Sequence, residues 1–163
     1  ITGLSNVNAQ KANYGIVAGF HNFTLKASGG GLTASTSTQG FFIGVNADYA
    51  ISDSFNIVPE VQFVRTSENG NSIEQLVIPI LGKYYISDEF NLQAGPQLDL
   101  VLSESNGINS FGLGLAFGAG YDFSNKIFAI TRYSFGLTNR AENAPSGASV
   151  KFDTFQIGVG YRF

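Results

Sequence analysis

The chain has 163 residues, which suggests one domain, and it contains no cysteine, which excludes a disulfide framework and thiolate metal sites. Its formal net charge of -3 provides no basic surface for nucleic acid. Charged residues are 13% of the chain, well below the ~25% usual in soluble proteins, and no apolar run reaches the ~18 residues of a transmembrane helix. Low charge with 20 glycines and 15 phenylalanines therefore favours a membrane β-barrel.

The first nine residues, ITGLSNVNA, look like the tail of a secretory signal peptide. Val7 and Ala9 would be the small residues at positions -3 and -1, with cleavage before Gln10. The alternative interpretation is a flexible extension of the first strand. We predict a signal-peptide remnant over residues 1–9 and a single barrel domain over residues 10–163.

Alternation with a period of two residues recurs along the chain, whereas a period of 3.6 residues is not sustained. Such alternation is typical of strands with two different faces. All eight predicted strands exceed the ~9–11 residues that a tilted membrane-crossing strand needs. The eight predicted strands are Tyr14–Leu25, Gln39–Ile51, Phe55–Thr66, Ile73–Ile86, Phe90–Ser103, Phe111–Phe123, Ile127–Thr138 and Lys151–Phe163.

The predicted connections alternate between short and long. Short turns of Ser, Asp and Asn follow strands two, four and six, at residues 52–54, 87–89 and 124–126. Longer loops rich in Gly, Ser, Thr and Asn follow the odd-numbered strands, so all of them fall at one end. Bacterial outer-membrane barrels have short periplasmic turns and longer external loops in this way. The four predicted long loops are Lys26–Thr38, Ser67–Ser72, Glu104–Ser110 and Asn139–Val150, and the first and last are the expected external contact surface.

The last predicted strand separates its two faces most clearly. One face carries bulky apolar residues that end at Phe163, and the other carries Gly158, Gly160 and polar residues. Small residues suit the narrow lumen of an eight-stranded barrel, and bulky apolar residues suit lipid. The sequence thus predicts an all-β, eight-stranded antiparallel up-and-down transmembrane β-barrel. A soluble lipocalin-like ligand-binding barrel is the alternative, but its outer face would consist mainly of glycine, alanine and amides.

Aromatic residues collect beside the three short turns and the chain ends. Amphipathic rings gather where a membrane meets water, so we interpret this group as a periplasmic aromatic girdle. Its predicted members are Tyr14, Tyr49, Phe55, Tyr84, Tyr85, Phe90, Tyr121, Phe123 and Tyr161.

Several stretches resemble a known family. They are Leu76–Tyr85 (LVIPILGKYY), Ala94–Gln97 (AGPQ), Gly118–Asp122 (GAGYD), Arg132–Leu137 (RYSFGL) and Gly158–Phe163 (GVGYRF). The chain resembles the outer-membrane β-barrel domain family of Bacteroidetes, the PorT-like group, which has the eight-stranded architecture of the outer membrane protein A barrel. The resemblance implies an integral outer-membrane protein, and a few members of that family are linked to secretion or gliding machinery.

The chain ends on alternate apolar residues and an aromatic ring. Tyr161 and Phe163 are therefore similar to the sorting signal that the barrel-assembly machinery reads. We expect that machinery as a partner during biogenesis and outer-membrane lipid as the lasting partner.

Seven charged residues point inward in the predicted register. We expect Glu60 and Asp99 to lie near Lys83 and Arg132, with Asp122 and Arg162 nearer the periplasmic end, since a charge in a narrow lumen needs a partner. The network is interpreted as a polar plug that fills the barrel, and the alternative is a gated ion path. The seven residues are Asp48, Glu60, Lys83, Asp99, Asp122, Arg132 and Arg162.

Nothing in the sequence predicts catalysis. The chain has a single histidine, His21, and no GxSxG motif whose serine it could activate. No cluster of residues has the spacing of metal ligands. The glycines at 29–31 form a loop rather than a phosphate cradle, because no strand–helix unit surrounds them. We expect no enzyme activity, no cofactor and no metal.

Two functional hypotheses remain. The first is a stand-alone structural barrel with a filled lumen. The second is an accessory subunit of an outer-membrane secretion or transport complex, which would dock through the glycine- and alanine-rich parts of strands one and six, because small residues let backbones approach closely in a membrane. A small passive pore is disfavoured, since eight strands leave little more than side-chain space.

Overall fold

A computed structural model describes residues 12–104 and 107–163, and these form a closed barrel of eight antiparallel strands. The predicted fold class is confirmed. Both the proposed signal-peptide remnant and the cleavage position before Gln10 lie outside the described residues. The strands are β1 (Ala12–Gly29), β2 (Leu32–Ala50), β3 (Phe55–Glu68), β4 (Asn71–Tyr85), β5 (Phe90–Val101), β6 (Phe111–Asp122), β7 (Ile127–Gly136) and β8 (Ser149–Arg162).

The sheet closes where β1 pairs with β8, in a register that runs from Gly15 opposite Arg162 to Ser28 opposite Ser149. Every strand therefore has two hydrogen-bonded neighbours over its central part. A membrane offers no water to backbone groups, so closure is what allows a sheet to cross it. The described residues include no helix that is long and apolar enough to cross a membrane.

Three four-residue turns at 51–54, 86–89 and 123–126 share one design, and they define what we call the turn end. In each turn the hydroxyl of the second residue accepts a hydrogen bond from a backbone N–H three residues later. Ser52 accepts from Phe55 at 3.1 Å, Ser87 from Phe90 at 3.0 Å and Ser124 from Ile127 at 3.1 Å. Serine at these positions thus specifies the turns that the sequence predicted.

The opposite end, the hairpin end, differs from the prediction. Residues 26–38 are not a loop: β1 and β2 continue through them and meet in a turn at Gly30 and Gly31, which both have positive φ. Their Ser- and Thr-rich segment is exposed on both faces and so lacks alternation. The predicted loop 67–72 is likewise a two-residue turn, in which Asn69 has a φ of 50° and Gly70 a φ of 83°, as a tight hairpin requires.

Two longer connections remain at the hairpin end. One is the segment between β5 and β6, of which residues 105 and 106 lie outside the described part, and the other is the segment 137–148 between β7 and β8. The asymmetry between the two ends therefore comes from these two segments and from the long β1–β2 hairpin, rather than from four long loops.

Bulky apolar side chains cover the outside of the barrel wall, which we call the apolar belt. Phe41, Ile43 and Val45 are 52%, 53% and 58% exposed, whereas the alternating Phe42 is 1% exposed and points inward. A water-soluble protein would bury such a surface, and lipid covers it in a membrane barrel.

Glycines on the inner face let the wall close tightly. A Cβ on Gly19 would overlap the backbone of Ile157 and Gly158 on β8, and one on Gly118 would overlap that of Thr131 on β7. The glycines of β1 and β6 thus face the lumen, so the suggested docking surface on strand six lacks them and carries bulky residues such as Leu115 and Phe117 instead.

Candidate functional site: the filled lumen

The turn end of the lumen holds one buried and one partly buried ion pair. Lys83 on β4 pairs with Asp48 on β2, which also accepts a hydrogen bond from Asn56 at 2.5 Å. Arg162 on β8 pairs with Asp122 on β6 at 2.8 Å, and Tyr85 donates its hydroxyl to the same carboxylate at 2.9 Å. Each carboxylate therefore has a cation and a neutral donor, which offsets the cost of its burial.

A second polar layer lies deeper. Arg132 on β7 lies 3.4 Å from Glu60 on β3, and their side chains are 3% and 2% exposed. Gln62 donates to Glu60, while Gln93 accepts from Arg132 at 3.2 Å. These side chains reach the lumen from three different strands, so they cross-link the wall from inside.

His21 belongs to this layer through amides. Its Nδ1 lies 3.1 Å from the side-chain nitrogen of Gln156, which in turn donates to Gln62 at 2.7 Å. The imidazole is fully buried and contacts neither a nucleophile nor a carboxylate in the hydrogen bonds of the described residues. His21 therefore orients a chain of amide side chains.

Little free space remains in the layer around Glu60 and Arg132, whereas an open vestibule of about 620 Å³, lined by Asp48, Tyr85 and Arg162 among others, lies at the turn end. The cavity beside Glu60, Lys83 and Arg132 has a volume of about 20 Å³, which is enough for about one water molecule. Nε and Nη1 of Arg132 have no protein partner among the described residues, so they are free to donate to a water molecule in this cavity. No group of His, Asp and Glu within the described ranges could hold a metal ion.

An apolar plug closes the lumen towards the hairpin end. Phe23, Val101 and Phe152 are 3%, 7% and 8% exposed, and the rings of Phe23 and Phe152 meet edge to face with centroids 4.7 Å apart. Partly buried Leu25 and Ile73 pack against them. The lumen is thus closed at two levels by different chemistry, first by charges and amides and then by aromatic rings.

Asp99 lies elsewhere than the sequence predicted. It pairs with Arg140, from the segment between β7 and β8, and not with Lys83 or Arg132. Arg140 is 2% exposed, donates to the carbonyl oxygens of Asn109 and Ser110 at 2.8 and 2.7 Å, and stacks over Phe152 at 4.5 Å. A single arginine in a polar segment gave no sequence signal for this role.

Tyr85 is a second correction. Its hydroxyl bonds Asp122 in the lumen, so it does not belong to the outer aromatic girdle. Side chains alternate along a strand, and Tyr84 already occupies the outward position at 53% exposure. The other eight predicted girdle residues lie on the outward face at the turn end: Tyr14, Tyr49, Phe55, Tyr84, Phe90, Tyr121, Phe123 and Tyr161.

A buried carboxylate, Asp153, lies on the outside of the wall, and sequence reasoning missed it. Asp153 shares its face with Phe155, accepts from Lys26 at 2.5 Å, from the Tyr133 hydroxyl at 2.9 Å and from the Gly136 amide at 3.2 Å. Its alternation with Phe152 and Thr154 was a usable signal. The outer wall therefore carries, near the hairpin end, a carboxylate that accepts three hydrogen bonds.

Comparisons with known proteins agree with this architecture. The attachment invasion locus protein Ail of Yersinia pestis has a TM-score of 0.61 at 14% identity, covering 94% of this chain and 99% of that one. Neisserial surface protein A has a TM-score of 0.58 at 17% identity, covering 94% and 100%. The outer membrane protein OprG of Pseudomonas aeruginosa has a TM-score of 0.50 at 16% identity, covering 94% and 97%. At these identities the likeness shows the fold alone.

No curated protein matches the chain. The sequence model of the outer membrane protein beta-barrel domain matches residues 2–163. Together with the closed barrel and its apolar belt, this match shows an integral protein of the bacterial outer membrane. The chain belongs to the outer membrane protein beta-barrel domain family.

Proposed function

We propose that this protein is a non-conducting barrel of the outer membrane, with a structural or accessory role and no catalysis. The observation that carries the proposal is the double closure of the lumen, by the layer around Glu60 and Arg132 and by the plug around Phe23 and Phe152. The hydrogen bond of His21 to the side chain of Gln156 supports a structural role for this histidine within a chain of amides.

A swelling assay tests the closed lumen. Proteoliposomes containing the purified protein are diluted into an isotonic arabinose solution, and light scattering reports the entry of the sugar. We expect the swelling rate of protein-free liposomes. A rate that increases with the amount of folded protein would contradict the proposal and favour a small passive pore.

An accessory role in a larger outer-membrane complex is the second candidate, and a shallow groove in the apolar belt favours it. The small outward residue Ala18 leaves a depression of about 310 Å³ beside Ile16, Ile43 and Val159. Small residues allow close approach of another backbone within a membrane. The resemblance to the PorT-like group, a few of whose members are linked to secretion or gliding machinery, supports this second candidate.

Gentle extraction from native membranes tests the accessory role. We expect stoichiometric co-migration with a larger outer-membrane assembly on a native gel, identified by mass spectrometry. Ala18→Phe should fill the groove and release the protein, whereas Ala94→Phe, on the outward face of β5, should not. Migration as a lone barrel in both the wild type and the variants would exclude the accessory role and leave the stand-alone structural role.

A further inference from the structure

The outer wall near the hairpin end changes from apolar to charged within a few rows of β1 and β8. Residues opposite each other in the register share a face, so each pair forms one row across the two strands. From the belt towards the hairpin end the rows are Phe20 with Ile157, Asn22 with Phe155, Thr24 with Asp153, and Lys26 with Lys151. The lysine row lies four residues beyond Phe155, about 10 Å above it for a strand tilted by ~40°.

Asp153 holds one of the two lysines close to the edge of the belt. Its carboxylate is 6% exposed and lies 2.5 Å from the Lys26 ammonium, which keeps 43% of its side chain exposed. The Tyr133 hydroxyl and the Gly136 amide also donate hydrogen bonds to this carboxylate. The Lys26 side chain therefore points towards the apolar rows. Its ammonium group keeps further N–H donors for another acceptor.

Lys151 adds a second positive charge directly opposite Lys26. It is exposed, and no ion pair involving it occurs among the described residues. Like charges directly opposite each other destabilise a pair of strands, and Asp153 neutralises only one of them. The row thus carries one excess positive charge just beyond the apolar rows of the outer wall.

We propose that Lys26 and Lys151 together bind a phosphate group carried by a lipid of the outer leaflet. Lysine binds phosphate as a compact point charge, and two lysines on adjacent strands can contact the same phosphate group. The acyl chains of such a lipid would run along Phe155, Ile157 and Phe20, which are exposed on the same strands. The proposal requires that the hairpin end of the barrel faces the outside of the cell. It does not depend on whether the lumen conducts.

Native mass spectrometry of the purified barrel in detergent tests the site. The probe is lipid A, a phosphorylated glucosamine disaccharide lipid, compared with its enzymatically dephosphorylated form. We expect the phosphorylated form to bind preferentially. Lys151→Gln should weaken binding about five-fold, in line with the contribution of one lysine near a charged lipid surface. Lys151→Arg should retain it, because the charge remains.

Lys126→Gln is the matched control, since Lys126 is exposed at the turn end, where it lies 3.2 Å from the Tyr161 hydroxyl. It should leave binding unchanged. Equal loss in both glutamine variants, no loss in Lys151→Gln, or equal binding of the dephosphorylated lipid would each overturn the proposal. Displacement of lipid A by millimolar inorganic phosphate would show a site for free phosphate and would overturn its assignment to lipid. The swelling assay above is unaffected by these outcomes.

Discussion

Arg132 and Glu60 meet across the lumen from β7 and β3, with 3.4 Å between Nη2 and Oε2 and with both side chains at most 3% exposed. Strands on opposite sides of a barrel are joined by hydrogen bonds only through their neighbours, so this pair connects the wall directly. The same pair fills space that a channel would need. Stability and closure of the lumen therefore depend on the same side chains.

Lys83→Ala should lower the free energy of unfolding by about 3–5 kcal/mol, because it leaves the buried Asp48 carboxylate without its cation. Lys151→Ala, at an exposed position, should change it by no more than about 0.5 kcal/mol in detergent. Urea unfolding followed by far-ultraviolet circular dichroism measures both. Equal midpoints for the two variants would contradict the assigned role of the lumen pairs.

Arg140→Ala should loosen the segment 137–148, because Arg140 joins it to Asp99 and to the carbonyl oxygens of Asn109 and Ser110. We expect faster cleavage of that segment by proteinase K and a loss of about 1–3 kcal/mol. Arg65→Ala is the control, since its pairing with Glu74 at 3.8 Å is half exposed and contributes at most about 1 kcal/mol. Comparable cleavage in wild type and Arg140→Ala would refute the anchoring role.

Gly19→Ala should impair closure of the barrel, because the added methyl overlaps the backbone of Ile157 where β1 meets β8. The strain should cost at least about 1–3 kcal/mol and reduce the yield of refolded barrel in detergent micelles. Gly29→Ala is the matched control, since its nearest neighbour would be the Cβ of Ala148 at 3.7 Å. A refolding yield for Gly19→Ala as high as that of the control would show that the seam tolerates a side chain.

Phe23→Ala should destabilise the barrel by about 3–5 kcal/mol, because it removes a buried ring from the apolar plug. It should still admit no arabinose, since the layer around Glu60 and Arg132 remains. Phe155→Ala, on the belt at 39% exposure, should cost less in micelles. Rapid sugar entry through Phe23→Ala would mean that the polar layer does not close the lumen alone.

Alternation predicted most of the architecture from the sequence. In β8 the outward series from Phe155 to Phe163 and the inward series from Gln156 to Arg162 followed from the period alone, because lipid and lumen select different residues. Alternation could not predict that β1 and β2 continue through residues 26–38. Both faces of that hairpin meet water, so its Ser- and Thr-rich sequence carries no period.

Partners inside the lumen were harder to predict than faces. The register predicted that Asp99 points inward, but the choice of Arg140 over Lys83 or Arg132 depends on how the segment 137–148 folds back into the barrel. Tyr85 illustrates the sensitivity to position, since a shift of one residue moves a side chain to the other face. The role of Tyr161 and Phe163 as an assembly signal stays a prediction.

Single-channel recording in planar bilayers tests the central claim, a lumen closed by its own side chains, most directly. The folded wild-type protein should leave the membrane current at the level of protein-free bilayers over a range of voltages, because the layer around Arg132 and the plug around Phe152 close the lumen one behind the other. Reproducible unitary steps whose number scales with folded protein, and which disappear when the protein is unfolded beforehand, would contradict it.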